Sequence, residues 1–324
     1  MGSAAFEDRS SVGEVALAVL RRQLVELLAH EPGARLGEGA EEIHDMRVAI
    51  RRMRAAMALF GDALPESARP LRRELKWVAR TLGEVRDVDV QLRQVASWAR
   101  ELPAEDRAAL DPVMKSLRNR RTLARRRLLR ALDSARYGHL VASLTTMIEQ
   151  PPSGTSVSRI PVALAGPRLV RRWYRTLRKA AAAVGKRSPP QDLHRLRIRG
   201  KRLRYAIEFL QPVYGKPAVR LIARLKAVQD VLGLHQDAQV AMEHFRQMAV
   251  DQSHALPSDA QFLLGRLAER YRMQAQEQRA LVPKVYGRVR GKAWKRLRGA
   301  MDERASGVEA ETAPNVVALV NRPA

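Results

Sequence analysis

In the segment IHDMRVAIRRMRAAMALF, residues 43–60, His44, Arg47, Arg51 and Arg54 follow one another at intervals of three or four residues. On a helix that spacing gathers the four side chains into one stripe about 80° wide. Ten residues at about 1.5 Å rise each make the stripe a row of cationic donors roughly 15 Å long. Arginine forks bind phosphate oxygens through two hydrogen bonds, and a protonated histidine donates from both ring nitrogens. Such a row suits a linear anion. A bound phosphate chain would raise the histidine pKa by stabilising the imidazolium, and the cationic neighbours lower it when the site is empty. Ile43, Met46, Ile50, Met53, Met57 and Phe60 form an apolar face that adjoins the stripe, so the cations stand at the edge of a core. Arg52 lies off to the side.

Nearly the same segment returns as LHRLRIRGKRLRYAIEFL, residues 193–210. His44 matches His194, Arg47 matches Arg197, Arg51 matches Lys201, Arg52 matches Arg202 and Arg54 matches Arg204, all at an offset of 150 (194 minus 44). The offset extends upstream, pairing Arg21 with Arg171 and Arg22 with Arg172, and downstream, pairing Lys76 with Lys226, Gly83 with Gly233 and Asp87 with Asp237. RALDSARYG at 130–138 matches RALVPKVYG at 279–287 at an offset of 149 (279 minus 130), so one residue has been lost between. The chain is a tandem duplication. A basic helix face is ordinarily a solvated surface. Keeping a histidine and the arginine spacing in both halves, where most other polar positions have diverged, points instead to a ligand. Arg21, Arg22, Arg171, Arg172, Lys76 and Lys226 extend the candidate site onto the first and third helices of each half. Asp87 and Asp237 are expected to cap the helices that follow them, and Gly83 and Gly233 to end the helices that precede them.

The elements that position these residues are all helical. Aromatics are only 5% of the chain, and Ala, Leu and Arg, strong helix formers, dominate it. The halves run over 12–149 and 162–299, joined by a linker at 150–161 whose sequence, QPPSGTSVSRIP, cannot continue a helix. Punctuation in the first half predicts helices at about 12–30, 40–60, 67–82, 87–101, 105–132 and 136–149. Each half is expected to be a helical bundle with four main helices, the two related by an internal pseudo-two-fold axis. Residues 302–324 lose the periodicity and the basic charge and read as a flexible tail.

Composition narrows the partner. Lys and Arg number 59 against 34 for Asp and Glu, a net charge of +25 that makes the surface field attract anions. There are no cysteines, which excludes disulfides, thiolate metal sites and a cysteine nucleophile. No apolar run approaches the roughly 20 residues of a membrane span, and MGSAAFEDRS lacks the layout of a signal peptide, so a cytoplasmic protein without membrane contact is expected.

The motif His-x-x-Arg-x-x-x-(Arg/Lys)-(Arg/Lys)-x-Arg occurs twice, each time followed by a helix expected to end in Leu-Gly-x-x-x-Asp. The duplicated set resembles the CHAD family, the conserved histidine α-helical domains, over about 12–299. That resemblance implies two four-helix bundles and a module that binds inorganic polyphosphate, often at granules, in a basic groove or pore lined by both repeats. It implies no cofactor and no catalysis. Many relatives carry a triphosphate tunnel domain marked by Glu-x-Glu-x-Lys; EAETA in the tail lacks the lysine, so a stand-alone module is expected. The halves differ at Arg86 against His235 (offset 149) and at Trp77 against Ala227. Two other readings remain open. The charge would also serve a nucleic-acid backbone, although no motif for base reading is present and aromatics for stacking are sparse. An enzyme acting on polyphosphate would need a metal held by carboxylates or a phosphate-cradling glycine loop; no Gly-x-x-x-x-Gly-Lys occurs, and Asp87 with Asp89 is a poor metal site.

Overall fold

The computed structural model describes residues 8–37, 39–152, 155–185, 187–251 and 256–310, and among them there is no strand beyond one isolated bridge. The protein is all-α. The first half forms α1 (Val12–Leu36), α2 (Ala40–Leu59), α3 (Ala68–Ala99), α4 (Ala104–Ala109), α5 (Asp111–Leu132) and α6 (Ala135–Glu149). The second forms α7 (Val162–Ala182), α8 (Pro190–Phe209), α9 (Gln211–Asp251), α10 (Ser258–Arg290) and α11 (Lys292–Glu309).

A capping box starts α1. The Ser11 hydroxyl accepts from the Glu14 amide at 3.2 Å, and the Glu14 carboxylate accepts from the Ser11 amide at 2.7 Å. The helix then runs through Pro32 and Gly33, where punctuation predicts a break, and stops at Gly37 with φ +83°. Arg125 of α5 explains the extra turn: its guanidinium donates to the carbonyls of Ala34 and Arg35 at 3.1 and 2.5 Å, satisfying groups that a helix end leaves orphaned.

Gly83 and Gly233 do not end helices. Each lies in the interior of a long helix, α3 or α9, and Asp87 and Asp237 are therefore mid-helix residues and not N-caps. A helical glycine costs about 1 kcal/mol, which the buried Leu75, Val78, Leu82, Val85 and Val88 on either side of Gly83 outweigh. The non-helical residue in α9 is Gly215, with φ +54°. The expected helix over 105–132 is divided at Leu110, which is 1% exposed. In the second half α10 continues past the point where Asp133 and Ser134 separate α5 from α6.

No α-helix crosses 150–161, but residues 155–161 are pinned in place: Ser156–Arg159 is a 3-10 turn and Ser158 is fully buried. The starts of the two halves join there, with the Val12 amide donating to Ile160 at 2.9 Å and the Val162 amide to Ser10 at 2.8 Å. At the other end α11 is helical through Glu309, with Met301 and Val308 buried, so 302–309 belongs to the fold and is not tail. Residues 311–324, the rest of the expected tail, and the N-terminal 1–7 lie outside the described residues.

Two apolar clusters make the interior. The larger gathers residues from every long helix, α5 and α10 included through Leu128, Leu132, Val282 and Val289, and the smaller gathers the far ends of α3 and α9 with the opposite ends of α5 and α10. Both are continuous from one half to the other. In the larger, the halves meet where α2 packs on α8, with the rings of Phe60 and Phe209 6.3 Å apart.

Candidate anion-binding site

The α2–α8 contact brings the two basic stripes together. Arg51 of α2 donates through Nε to the Tyr205 hydroxyl of α8 at 2.7 Å. Arg47 and Arg51 both crowd Arg197, whose guanidinium pKa is pushed down by burial and by these neighbours and is relieved by Asp237. Lys201 sits in the same crowd. Burial, then Arg197, Arg51 and Arg204, push its ammonium down to about 7, and Asp237 opposes them only in part. The Nε atoms of Arg54 and Arg197 are buried with no hydrogen-bond partner.

The third helix of each half supplies the floor. A Cβ on Gly83 would stand 3.1 Å from Arg47 Nη1, so the glycine lets the guanidinium lie against the backbone of α3; at Gly233 the corresponding distance to Arg197 Nε is 4.0 Å. Asp87 faces Arg47 and Arg86, and burial together with the nearby Asp237 holds its carboxyl above the usual range. The two motif aspartates thus approach each other across the halves. Lys76 and Lys226, both exposed, share helix faces with Gly83 and Asp87 and with Gly233 and Asp237 respectively.

Beyond this centre the halves differ. Arg204 is tied down, donating to Gln229 at 2.8 Å and to Glu208 at 2.6 Å, with its guanidinium 4.7 Å from the Tyr205 ring centre. The second oxygen of Glu208 accepts from Arg52 at 2.7 Å, and Arg52 lies 5.5 Å from the centres of Tyr205 and Phe209. Arg54 has no such carboxylate, because the first half carries Ala58 and Ala79 where the second has Glu208 and Gln229. Its pKa is pushed down by burial and by Arg72. Arg202 stacks 5.3 Å from the Trp173 ring, and its pKa falls through burial and the proximity of Arg199, Arg72 and Arg54. This second patch holds cations against cations.

The two histidines also differ. His44 is half-buried, and burial followed by Arg86 lowers its pKa. His194 hydrogen-bonds through Nδ1 to Gln236 Oε1 at 2.8 Å, which leaves Nε2 for another partner. Outside the assembly, Arg21 donates to the Ile148 carbonyl of α6 at 3.0 Å, and Arg171 pairs with Asp302 of α11. Both arginines of this repeated pair fasten the last helix of their own half. Arg22 and Arg172 are exposed.

Arg72, Arg86 and Arg199 were missed as members of the site, and Tyr205, Gln229 and Gln236 as its supports. Arg72 was within reach of periodicity, since it lies four residues before Lys76 on the face that carries Gly83. Among the described residues no group of three or more His, Asp or Glu converges to hold a metal, and no helix is long and apolar enough to cross a membrane.

Comparison with known proteins agrees with this architecture. The CHAD domain matches residues 18–246. Two uncharacterized proteins of Mycobacterium tuberculosis, from two strains, are each 30% identical over 236 residues, covering 70% of this chain and 44% of their own. The chain thus spans less than half the length of these curated relatives. The crystal structure of the CHAD domain from the plant Ricinus communis superposes with a TM-score of 0.71 at 27% identity, covering 88% of this chain and 95% of that one. PptA from Streptomyces chartreusis shares the fold, with a TM-score of 0.69 at 22% identity over 86% of this chain and 100% of its own. With its helices, its paired motifs and this match over most of its length, the chain belongs to the CHAD domain family.

Proposed function

We propose that this protein binds inorganic polyphosphate along the cationic seam between α2 and α8, without chemistry on the polymer. One observation carries the reading: Arg47, Arg51, Arg197 and Lys201 are packed together with too few carboxylates, and buried guanidinium nitrogens at Arg54 and Arg197 have no partner. Buried donors left unsatisfied cost about 1–3 kcal/mol each, and an external anion removes that cost. A flexible chain of phosphates can follow both stripes from one half to the other. The proposal includes two tandem bundles about a pseudo-two-fold axis. Its support is that α2 and α8 have equal lengths of 20 residues, start 150 positions apart (190 minus 40) and pack on each other. We place the protein in the cytoplasm, at polyphosphate granules.

The test is a titration of long-chain polyphosphate against wild type and an Arg47→Ala, Arg197→Ala variant, over a salt series with duplex DNA as competitor. Charge-assisted hydrogen bonds contribute about 1.5–3 kcal/mol each, so the variant should bind at least about 100-fold more weakly. The slope of log affinity against log salt should fall by about 0.7 for each arginine lost. Equal binding by the folded variant, or preference for DNA at equal phosphate concentration, would reject the proposal.

A further inference from the structure

A second basic site lies away from the α2–α8 seam. The C-terminal part of α7 with Val184 and Gly185 just beyond it, the start of α8 and the C-terminal half of α10 enclose an open pocket of about 1230 Å³. Small-molecule sites usually measure roughly 300–1,000 Å³, so a ligand of that size fits with its polar end in solvent. Ala181, Val184, Pro283 and Tyr286 form an apolar wall, with Leu193, Leu196 and Val282 beneath them. Arg175, Arg178, Lys179 and Arg290 rim the opening, and no carboxylate lines it. A fifth cation, Arg279, is already occupied. It donates to the carbonyls of Gly185 and Ser188 at 3.1 and 2.5 Å and fixes Gly185 at one side of the pocket.

The rim is not a general consequence of a basic protein. At the 150-residue offset the first half has Val25, Leu28 and Ala29 in place of Arg175, Arg178 and Lys179, and Val25 and Leu28 are exposed there. At the 149-residue offset that holds near the ends of the halves, Arg290 corresponds to Val141. Cations replace apolar residues at four corresponding places, all of them around one cavity. A polyphosphate chain would leave the apolar wall unused. A nucleobase would find few edge partners, since Gln276 is the one side-chain amide in the lining. The ligand that uses both features has an aliphatic body and a single anionic head.

We infer that this pocket binds a long-chain aliphatic anion, its chain against the wall between α7 and α10 and its head on Arg175, Arg178, Lys179 and Arg290. The head is phosphate or carboxylate, and the assay separates the two.

The experiment is isothermal titration calorimetry of the full chain with octyl and decyl phosphate below their micellar concentrations. Decanoate, decyl maltoside and inorganic phosphate are titrated in parallel. The expected result is saturable binding of one decyl phosphate, about tenfold tighter than octyl phosphate, because each buried methylene tightens binding about fourfold at most. Arg175→Val with Arg178→Leu, the first-half residues, should weaken it at least about tenfold. Ala280→Trp, which fills the pocket from an exposed position, should abolish it. The Arg47→Ala, Arg197→Ala variant should bind decyl phosphate like wild type. Decanoate binding as tightly as decyl phosphate would assign a carboxylate head, and weaker decanoate binding a phosphate head. Affinity independent of chain length, equal affinity for decyl maltoside or inorganic phosphate, or displacement by polyphosphate would overturn the inference.

Discussion

Lys201 gives the sharpest test of the seam. Its first-half counterpart is an arginine, Arg51, and the Lys201 ammonium is held down to about 7 by burial and three arginines. A polyphosphate chain laid across the cluster replaces repulsion with attraction and returns the lysine toward its ordinary value of about 10.4. Binding above pH 7 therefore takes up a proton. With a free-protein pKa of about 7, the lysine is about one-tenth protonated at pH 8. Uptake there approaches about 0.9 proton per complex, and affinity falls about 25-fold between pH 6.5 and 8.5. Calorimetry in two buffers of different ionisation enthalpy, at fixed ionic strength, counts the proton directly. His44 shifts in the same sense but titrates lower, and Lys201→Arg separates the two contributions. That variant should bind at pH 8.5 nearly as it does at 6.5. If it keeps the wild-type ratio between the two pH values, the crowding argument fails. The unliganded protein obeys the same linkage. From pH 7 to about 10.4 the unfolded chain holds this proton and the folded chain does not, so stability rises with pH through that window. The melting temperature should therefore climb more in wild type than in Lys201→Arg between pH 7 and 9.

Three further sets of substitutions follow from particular contacts. Gly83→Ala should weaken polyphosphate binding by displacing Arg47, whereas Gly233→Ala, with 4.0 Å of room, should leave affinity unchanged and stabilise α9 by about 1 kcal/mol in denaturant titrations. Glu208→Gln removes the charge shared by Arg52 and Arg204. It should cost about 2 to 3 kcal/mol of stability and raise polyphosphate affinity several-fold, because two guanidinium groups become available. At Gly166 a Cβ would fall 2.1 Å from the Tyr214 hydroxyl, although the first half tolerates Ala16 at the corresponding position. Gly166→Ala should destabilise the protein by about 1–3 kcal/mol, and adding Tyr214→Phe should restore part of the loss in thermal melts.

The helix class and the limits of α2 were legible in the sequence because both rest on local periodicity, expected at 40–60 and observed at Ala40–Leu59. Periodicity also put His44, Arg47, Arg51 and Arg54 on one stripe. Gly83 was misread because a glycine's local preference is worth only about 1 kcal/mol, and its role depends on an arginine 36 positions away (83 minus 47). Arg21 and Arg171 show the limit of reasoning from duplication. Both halves need an arginine there to hold their own last helix, so repetition marks a shared structural need as readily as a shared ligand. Glu208 shows the converse. With Ala58 as its counterpart it was invisible to any comparison of the halves, yet it decides which arginines remain available.

The continuous apolar interior has a consequence for synthesis. A ribosome adding about 5–20 residues per second needs about 10 to 30 s to make a second half of this size. For that interval the first half waits with Phe60 lacking Phe209 and Arg51 lacking Tyr205, and the far end of α3 lacks the α9 and α10 side chains of the smaller cluster. A nascent chain in that state exposes sticky surface beside a strong positive charge, which makes it a client for chaperones that hold emerging chains until their second copy arrives.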